Sequence, residues 1–203
     1  GYQVILTKEP TLNSLAGREI RKILDKKIKI SPGKLQQLFA QDRKEHLEKV
    51  IIPALKKDKI VISDRYLFSS LAYGTAAGLS LNYLIKINKK FLVPDLTFIL
   101  KVRPEICLQR IKNRKKERTL FEEKEKLGEV WEIYKDLPRL IPKEFMRGLP
   151  KRFSASIRQI KNYGGSAGAL RKGGNKVYTI NSEKPIKEVF REIKKVVHFK
   201  LNL

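Results

Sequence analysis

Lys59-Ile60-Val61-Ile62-Ser63 runs directly into Asp64-Arg65-Tyr66 and then into Leu67-Phe68-Ser69-Ser70-Leu71-Ala72-Tyr73. The first five residues are a short apolar, β-branched run that stops at charge, and the last seven continue at helical spacing. They read as a strand feeding a helix. In open α/β sheets, phosphate-bearing ligands bind at such strand ends. Upstream, Leu38-Phe39-Ala40-Gln41-Asp42-Arg43 falls on a predicted helix, with Phe39 and Arg43 one turn apart on one face.

Working outward, Gln3-Val4-Ile5-Leu6-Thr7 reads as a strand ending at Glu9-Pro10. Apolar spacing predicts helices over 14–24, 33–57, 67–73 and 81–90, a strand over 96–102, and a helix opened by Pro104 with a successor reaching Leu137. A last strand over 176–180 precedes a helix over 184–198. Strands alternating with helices predict a parallel sheet flanked by helices in three α/β/α layers. One stretch breaks the pattern. Over 145–175 six glycines interrupt any period, basic residues crowd in and no acidic residue occurs, which reads as a mobile basic insertion. The expected organisation is a core over 1–144 with a lid at about 108–124, the insertion, and a return to the same domain over 176–203.

The 203 residues suit one α/β domain, and a hydrophobic share of 41% argues against disorder. Against 21 acidic residues stand 45 Lys+Arg, a net charge of +24 that will attract polyanions and gives non-specific nucleic-acid binding at low salt. Cys107 is the only cysteine, so no intramolecular disulfide can form, which fits a reducing cytoplasm; its place in a helix reads as a small buried hydrophobe. His46 and His198 lie far apart without a cysteine or carboxylate cluster at ligand spacing, which argues against a structural zinc site. No apolar run reaches the length of a membrane span, and no signal peptide is visible.

Arg43 and Arg65 are the leading candidates for chemistry, because a phosphate monoester is best held by planar bidentate donors. For Asp64-Arg65 the plain alternative is a strand-end ion pair, and for Phe39 it is core packing. With those alternatives open, a base stacked on Phe39 beside an arginine-held phosphate is the sharper reading. Ser70 and Tyr73 follow on the next helix, where a hydroxyl could read a base edge and a tyrosine pack on a sugar. The block 110–118 is either a solvated charge run or a lid closing arginines over a transferring phosphoryl group. No stretch of the chain matches the phosphate loop G-x-x-x-x-G-K-[ST].

In sequence and order, Thr7-Lys8-Glu9-Pro10, Gly17 with Ile20-Arg21, Leu38-Phe39-Ala40 with Asp42-Arg43, Asp64-Arg65-Tyr66 with Ser69-Ser70-Leu71-Ala72-Tyr73, and Pro94-Asp95-Leu96-Thr97 resemble the thymidylate kinase family. Phe121-Glu122-Glu123 with Val130 and Tyr134 resembles the stretch after that family's lid, and Asn181-Ser182-Glu183-Lys184-Pro185-Ile186 the loop bordering its adenine pocket. The resemblance implies a P-loop NTPase-like fold and phosphoryl transfer from ATP, with Mg2+, to dTMP. It implies that Phe39 stacks on thymine, that Arg43 and Arg65 grip the dTMP phosphate, that Ser70 contacts the base edge and that Tyr73 closes on the sugar, with Phe121 also on the dTMP side. Arg110, Arg114 and Arg118 would belong to the lid, the last two with Arg65 and Glu9 as catalytic groups. Arg110, Asn181, Lys184 and Pro185 would border ATP, and Glu9 with Asp64 would lie near the magnesium. Lys8 stands where the family more often has arginine, and Lys101 where it commonly has an acid. A homodimer is implied as well.

The family's pattern begins with a strand, the phosphate loop and a helix ahead of the segment matching 1–4. Without them the first, central strand would leave its neighbours unpaired. The expectation is a chain deficient on the donor side: a fragment of an ordinary kinase, a truncated gene product, or a chain completed by another. Two rival functions are a basic nucleic-acid-binding module, suggested by the charge and by Phe153 and Tyr163 in the insertion, and a kinase for another pyrimidine monophosphate.

Overall fold

The computed structural model describes residues 2–113, 120, 124–141 and 176–201. Residues 145–175, most of the expected lid, and Arg114, Arg118 and Phe121 lie outside the described residues.

Among the described residues four strands form, β1 (Val4–Lys8), β2 (Ile60–Asp64), β3 (Leu96–Lys101) and β4 (Lys176–Asn181), each within a residue or so of its expected place. All pairing is parallel. β1 lies on β2 in the register Val4↔Ile60 to Lys8↔Asp64, and β3 on β4 from Leu96↔Lys176 to Lys101↔Asn181. The strands make two separate two-stranded sheets rather than one continuous sheet. Each strand is therefore hydrogen-bonded along one edge only among the described residues.

Between the strands run α1 (Leu15–Leu24), α2 (Pro32–His46), α3 (Ile52–Lys56), α4 (Leu67–Ala76), α5 (Leu81–Asn88), α6 (Pro104–Lys112) and α7 (Lys124–Leu140), and α8 (Ile186–Leu201) follows β4. Local chemistry starts them. Ser14 caps α1 by accepting from Gly17 N at 2.7 Å, and Ser31 caps α2 ahead of Pro32 in the first turn. The helix expected over 33–57 is interrupted by a π-helical turn at Leu47–Ile51. Pro53 is the physical reason: it lacks an N–H, and its ring would collide with the carbonyl four residues back, so a wider turn relieves the clash.

The main core gathers Leu47, Ile51, Leu67, Phe68, Leu71, Leu84, Phe91, Ile99, Val130 and Leu137, so α4, α5 and α7 pack together beside the strands. A smaller cluster of Ile20, Ile23, Leu24 and Leu35 joins α1 to α2. There Gly17 is obligatory, because a Cβ would sit 1.9 Å from the carbonyl oxygen of Thr11. One sheet face is left bare: Leu6 and its register partner Ile62 are 77% and 54% exposed, with Val4 beside them. No helix among the described residues is long and apolar enough to cross a membrane.

Candidate functional site

β1 delivers the first group. The Glu9 N–H donates to the Asp64 carbonyl at 3.0 Å, so the parallel ladder runs one residue past β1 and sets Glu9 at the carboxyl end of both strands. From α2, Arg43 and His46 reach the same point, one turn apart. Arg43 donates to Glu9 Oε2 through Nε (3.0 Å) and Nη2 (2.7 Å), to Ser70 Oγ through Nη2 (2.9 Å), and to Asn88 Oδ1 through Nη1. His46 Nδ1 meets Glu9 Oε1 at 3.1 Å, and its Nε2 meets Thr7 Oγ1 at 2.6 Å. The guanidinium carbon lies 5.0 Å from the centroid of the Tyr66 ring and 5.8 Å from that of Phe91. Glu9 is 4% and Arg43 1% exposed.

This geometry changes two expectations. Arg43 was expected to take the phosphate, yet its donors are committed to Glu9, Asn88 and Ser70 inside the protein, and its charge is already matched by Glu9. Four of its five N–H groups serve these partners, and through one of them Arg43 holds Ser70 in place. Glu9 was expected near a magnesium, yet both of its oxygens serve Arg43 and His46. Mg2+ needs oxygen ligands at short octahedral distances, commonly one or two carboxylates with substrate phosphates. Asp64 is left as an exposed carboxylate at the end of β2, and no cluster of three metal-ligating side chains occurs among the described residues. Of the two carboxylates expected near the metal, Glu9 is engaged by Arg43 and His46 and Asp64 is the exposed one, so Asp64 is the one that fits a Mg2+ held mainly by substrate phosphates.

Beside this lattice Asp42, fully buried, accepts from the Thr11 N–H (2.9 Å) and from the hydroxyls of Thr11 and Ser14 (both 2.5 Å). The contacts tie the loop after Pro10 to α2 and so fix where Glu9 leaves β1. Tyr66 packs over Arg43 with a buried hydroxyl that has no protein partner; burial pushes its pKa far above the ordinary tyrosine value, so it stays neutral.

Arg65 is placed quite differently. It takes the left-handed backbone conformation, φ +65°, which costs a residue with a side chain of order 1–3 kcal/mol and collects at functional sites. Ser63 Oγ donates to its carbonyl at 2.8 Å, bracing the turn. The residue is exposed, and its guanidinium lies 5.2 Å from the Tyr73 ring centroid. Desolvation opposes its charge, but Tyr73, Tyr134 and Asp64 outweigh that and raise its pKa, so it is a permanent cation. Behind it Tyr73 meets Tyr134 edge to face at 6.5 Å, and the Tyr134 hydroxyl is 3.1 Å from Ser69 Oγ. Burial pushes Tyr134 up to about 12, so it too is neutral. Phe39 is half-buried against the cluster of Ile20, Ile23, Leu24 and Leu35.

At the ends of β3 and β4 a second group assembles. Arg103 meets Glu183 Oε1 at 2.9 Å through both its side chain and its backbone N–H, and Arg110 Nη2 donates to the Ser182 carbonyl at 2.9 Å. Asn181 Oδ1 accepts from the Glu183 N–H at 3.0 Å, Lys184 pairs with Glu192 at 2.6 Å, and Pro185 accepts the first backbone bond into α8 from Glu188 at 2.9 Å. Arg110, Asn181, Lys184 and Pro185 thus share one locality at the ends of β3 and β4. Lys101 lies 5.4 Å from the Trp131 ring centroid, a cation–π contact that gives a physical account of a lysine at this strand position. Cys107 is half-buried with its thiol 3.8 Å from the Val102 carbonyl, and burial raises its pKa.

His46, Asn88 and Thr7 were not picked out as site residues. For Asn88 a signal existed, since an amide one turn after Leu84 sits on the face of α5 that is buried. His46 lies one turn after Arg43, and nothing in the sequence shows that Glu9 would come between them.

The family model described as thymidylate kinase matches residues 1–148. "Probable thymidylate kinase" of Pyrococcus horikoshii is 47% identical over 119 residues, 56% of this chain and 58% of that protein. The Thermococcus kodakarensis protein of the same name is 39% identical over 150 residues, 70% of this chain and 73% of that one, and the thymidylate kinase of Leptospira interrogans is 36% identical over 141 residues, 68% and 67%. The chain thus spans a little under three fifths of the Pyrococcus relative's length, and more of the other two. On the extent of the family match, this chain belongs to the thymidylate kinase family.

Proposed function

We propose that these residues form the dTMP-binding side of a kinase that transfers a phosphoryl group from ATP to dTMP, giving dTDP and ADP. The observation that carries this reading is Arg65, a permanent, exposed cation held in a strained turn at the carboxyl end of β2 and braced against Tyr73. Such a group is built to receive a phosphate. Ser70 Oγ already accepts from Arg43, so its own proton remains free to donate to an acceptor on a base. Phe39 is the stacking surface for thymine and Tyr73 the wall beside the sugar. Arg43 positions Ser70, and Glu9 positions Arg43.

In the reaction a dTMP phosphate oxygen forms a bond to the terminal phosphorus of ATP while the bond from that phosphorus to the leaving ADP oxygen breaks. Little covalent work falls to the protein, and arginines balance the charge spread over the transferring group. Arg65 serves the acceptor end, with Arg114 and Arg118 assigned to the lid together with Phe121. Arg110 and the loop of Asn181, Lys184 and Pro185 border ATP, whose phosphates bring Mg2+ with them. Because the 203 residues contain no Walker A pattern, the reading gives them firm dTMP binding and weak ATP binding.

Calorimetric titration of the purified chain with dTMP, and separately with ATP and magnesium, tests this. Saturable dTMP binding that weakens about 10- to 100-fold in Arg65→Ala is expected, whereas a folded chain that ignores dTMP overturns the reading. Titration with dCMP and UMP addresses the base. The nucleic-acid-binding alternative rests on the net charge of +24 and on residues 145–175, which lie outside the described residues.

A further inference from the structure

We propose that the groove between α2 and α5, on a different face of α2 from Arg43, is a second anion site that takes a small polyphosphate. The groove has a volume of about 380 Å3, within the range of small-ligand sites. Its walls carry Lys44 from α2 and Lys86 and Lys90 from α5, and no acidic residue lines it. Among the described residues Lys44 and Lys86 make no ion pair, and Lys90 rests 5.3 Å from the centroid of the Phe91 ring. Three exposed lysines line one concavity, so their charges add to one positive potential there, and an anion entering it is attracted.

The chemistry favours several phosphates over one. Lysine is a point charge without the bidentate fork of arginine, so three separate lysines match anionic oxygens spread along a chain. Gln37 and Gln41 supply amides beside the lysines, and Ala40 with Ile87 gives an apolar floor. Gln37 donates to the Tyr83 hydroxyl at 3.3 Å, closing one side. That floor would accept the sugar or base of a nucleoside triphosphate, so the phosphate chain has two sources, inorganic or nucleoside-borne. The site does not depend on how the acceptor pocket is read, because its lysines belong to none of the groups around Arg65.

Tripolyphosphate titration of the full chain at fixed ionic strength tests the proposal. The charge-reversing pair Lys86→Glu/Lys90→Glu is compared with Lys194→Glu/Lys195→Glu, two exposed lysines on α8 that change net charge equally. We expect the groove pair to weaken binding about tenfold or more and the α8 pair by about twofold or less. Lys44→Glu, on the opposite wall, should act in the same direction as the groove pair, and saturating dTMP should not displace the ligand. Tighter binding of dTTP than of tripolyphosphate would assign a nucleoside-borne ligand, and equal binding an inorganic one. Equal losses in both lysine pairs, displacement by dTMP, or binding of long DNA without tripolyphosphate would overturn the site.

Discussion

Two arginine–glutamate pairs stand at strand ends in this molecule, with the same chemistry and opposite surroundings. Arg43 and Glu9 have side chains 1% and 2% exposed; Arg103 and Glu183 are 63% and 24% exposed. Around the first pair, His46, Asn88, Ser70 and Thr7 leave little to water. Around the second, solvent competes for each contact and screens the charges. The buried pair cannot lose a member without stranding the other, so it acts as a rigid frame that aims Ser70. The exposed pair can open and close at little cost, which suits a loop beside an entering ligand.

Glu9→Ala offers the largest test of that contrast. It leaves the Arg43 charge buried without its partner and should lower unfolding stability by about 3–5 kcal/mol in urea titration. A cost no greater than that of Glu183→Gln would collapse the comparison. Gly17→Ala comes next, since its Cβ meets the Thr11 carbonyl and disturbs the loop that Asp42 holds. About 1–3 kcal/mol of destabilisation is expected, read from the same titration.

Arg65→Ala sharpens the difference between frame and ligand contact. Stability should hold within about 1 kcal/mol, because an exposed side chain is lost while the strained backbone remains. The dTMP dissociation constant should rise about 10- to 100-fold, the worth of charge-assisted hydrogen bonds to a phosphate. Calorimetry beside thermal unfolding separates these effects, and a large loss of stability would count Arg65 with the frame.

Smallest of all is the acid response of the exposed pair. Hydrogen bonds from Arg103 hold the Glu183 carboxyl below its ordinary pKa. The pair's stabilisation is therefore complete above the ordinary glutamate pKa of about 4.3 and fades as pH falls through the lower folded value. Thermal unfolding of Glu183→Gln should match the parent in strong acid and lie slightly below it at neutral pH. The reverse ordering would mean the pair is net unfavourable.

Most of the fold could be read from the amino-acid order because its signals are local. Val4–Lys8, Ile60–Asp64 and Lys176–Asn181 are β-branched runs with clear stops, and Ser14, Ser31 and Ser80 mark helix starts. The π-helical turn at Leu47–Ile51 escaped because apolar spacing cannot register one extra residue in a turn. Phe39, Ser70, Arg65 and Tyr73 could be named as candidates from their pattern. The lattice around Arg43 could not, since Glu9, Arg43, Ser70 and Asn88 lie on four elements and meet only when β1, α2, α4 and α5 pack. Sequence shows that an arginine is present; packing decides whether its charge faces a ligand or a glutamate.

The bare face of Leu6 and Ile62, bordered by strand edges that have no hydrogen-bonded neighbour among the described residues, also bears on how the protein behaves as a colloid. Open parallel edges invite pairing between copies. What opposes it is long-range repulsion from a net charge of +24. Salt shortens the reach of that repulsion from about 10 Å at 0.1 M to about 3 Å at 1 M. Light scattering should therefore rise with added salt, the reverse of ordinary salting-in, and dilute buffer becomes the condition in which single copies persist.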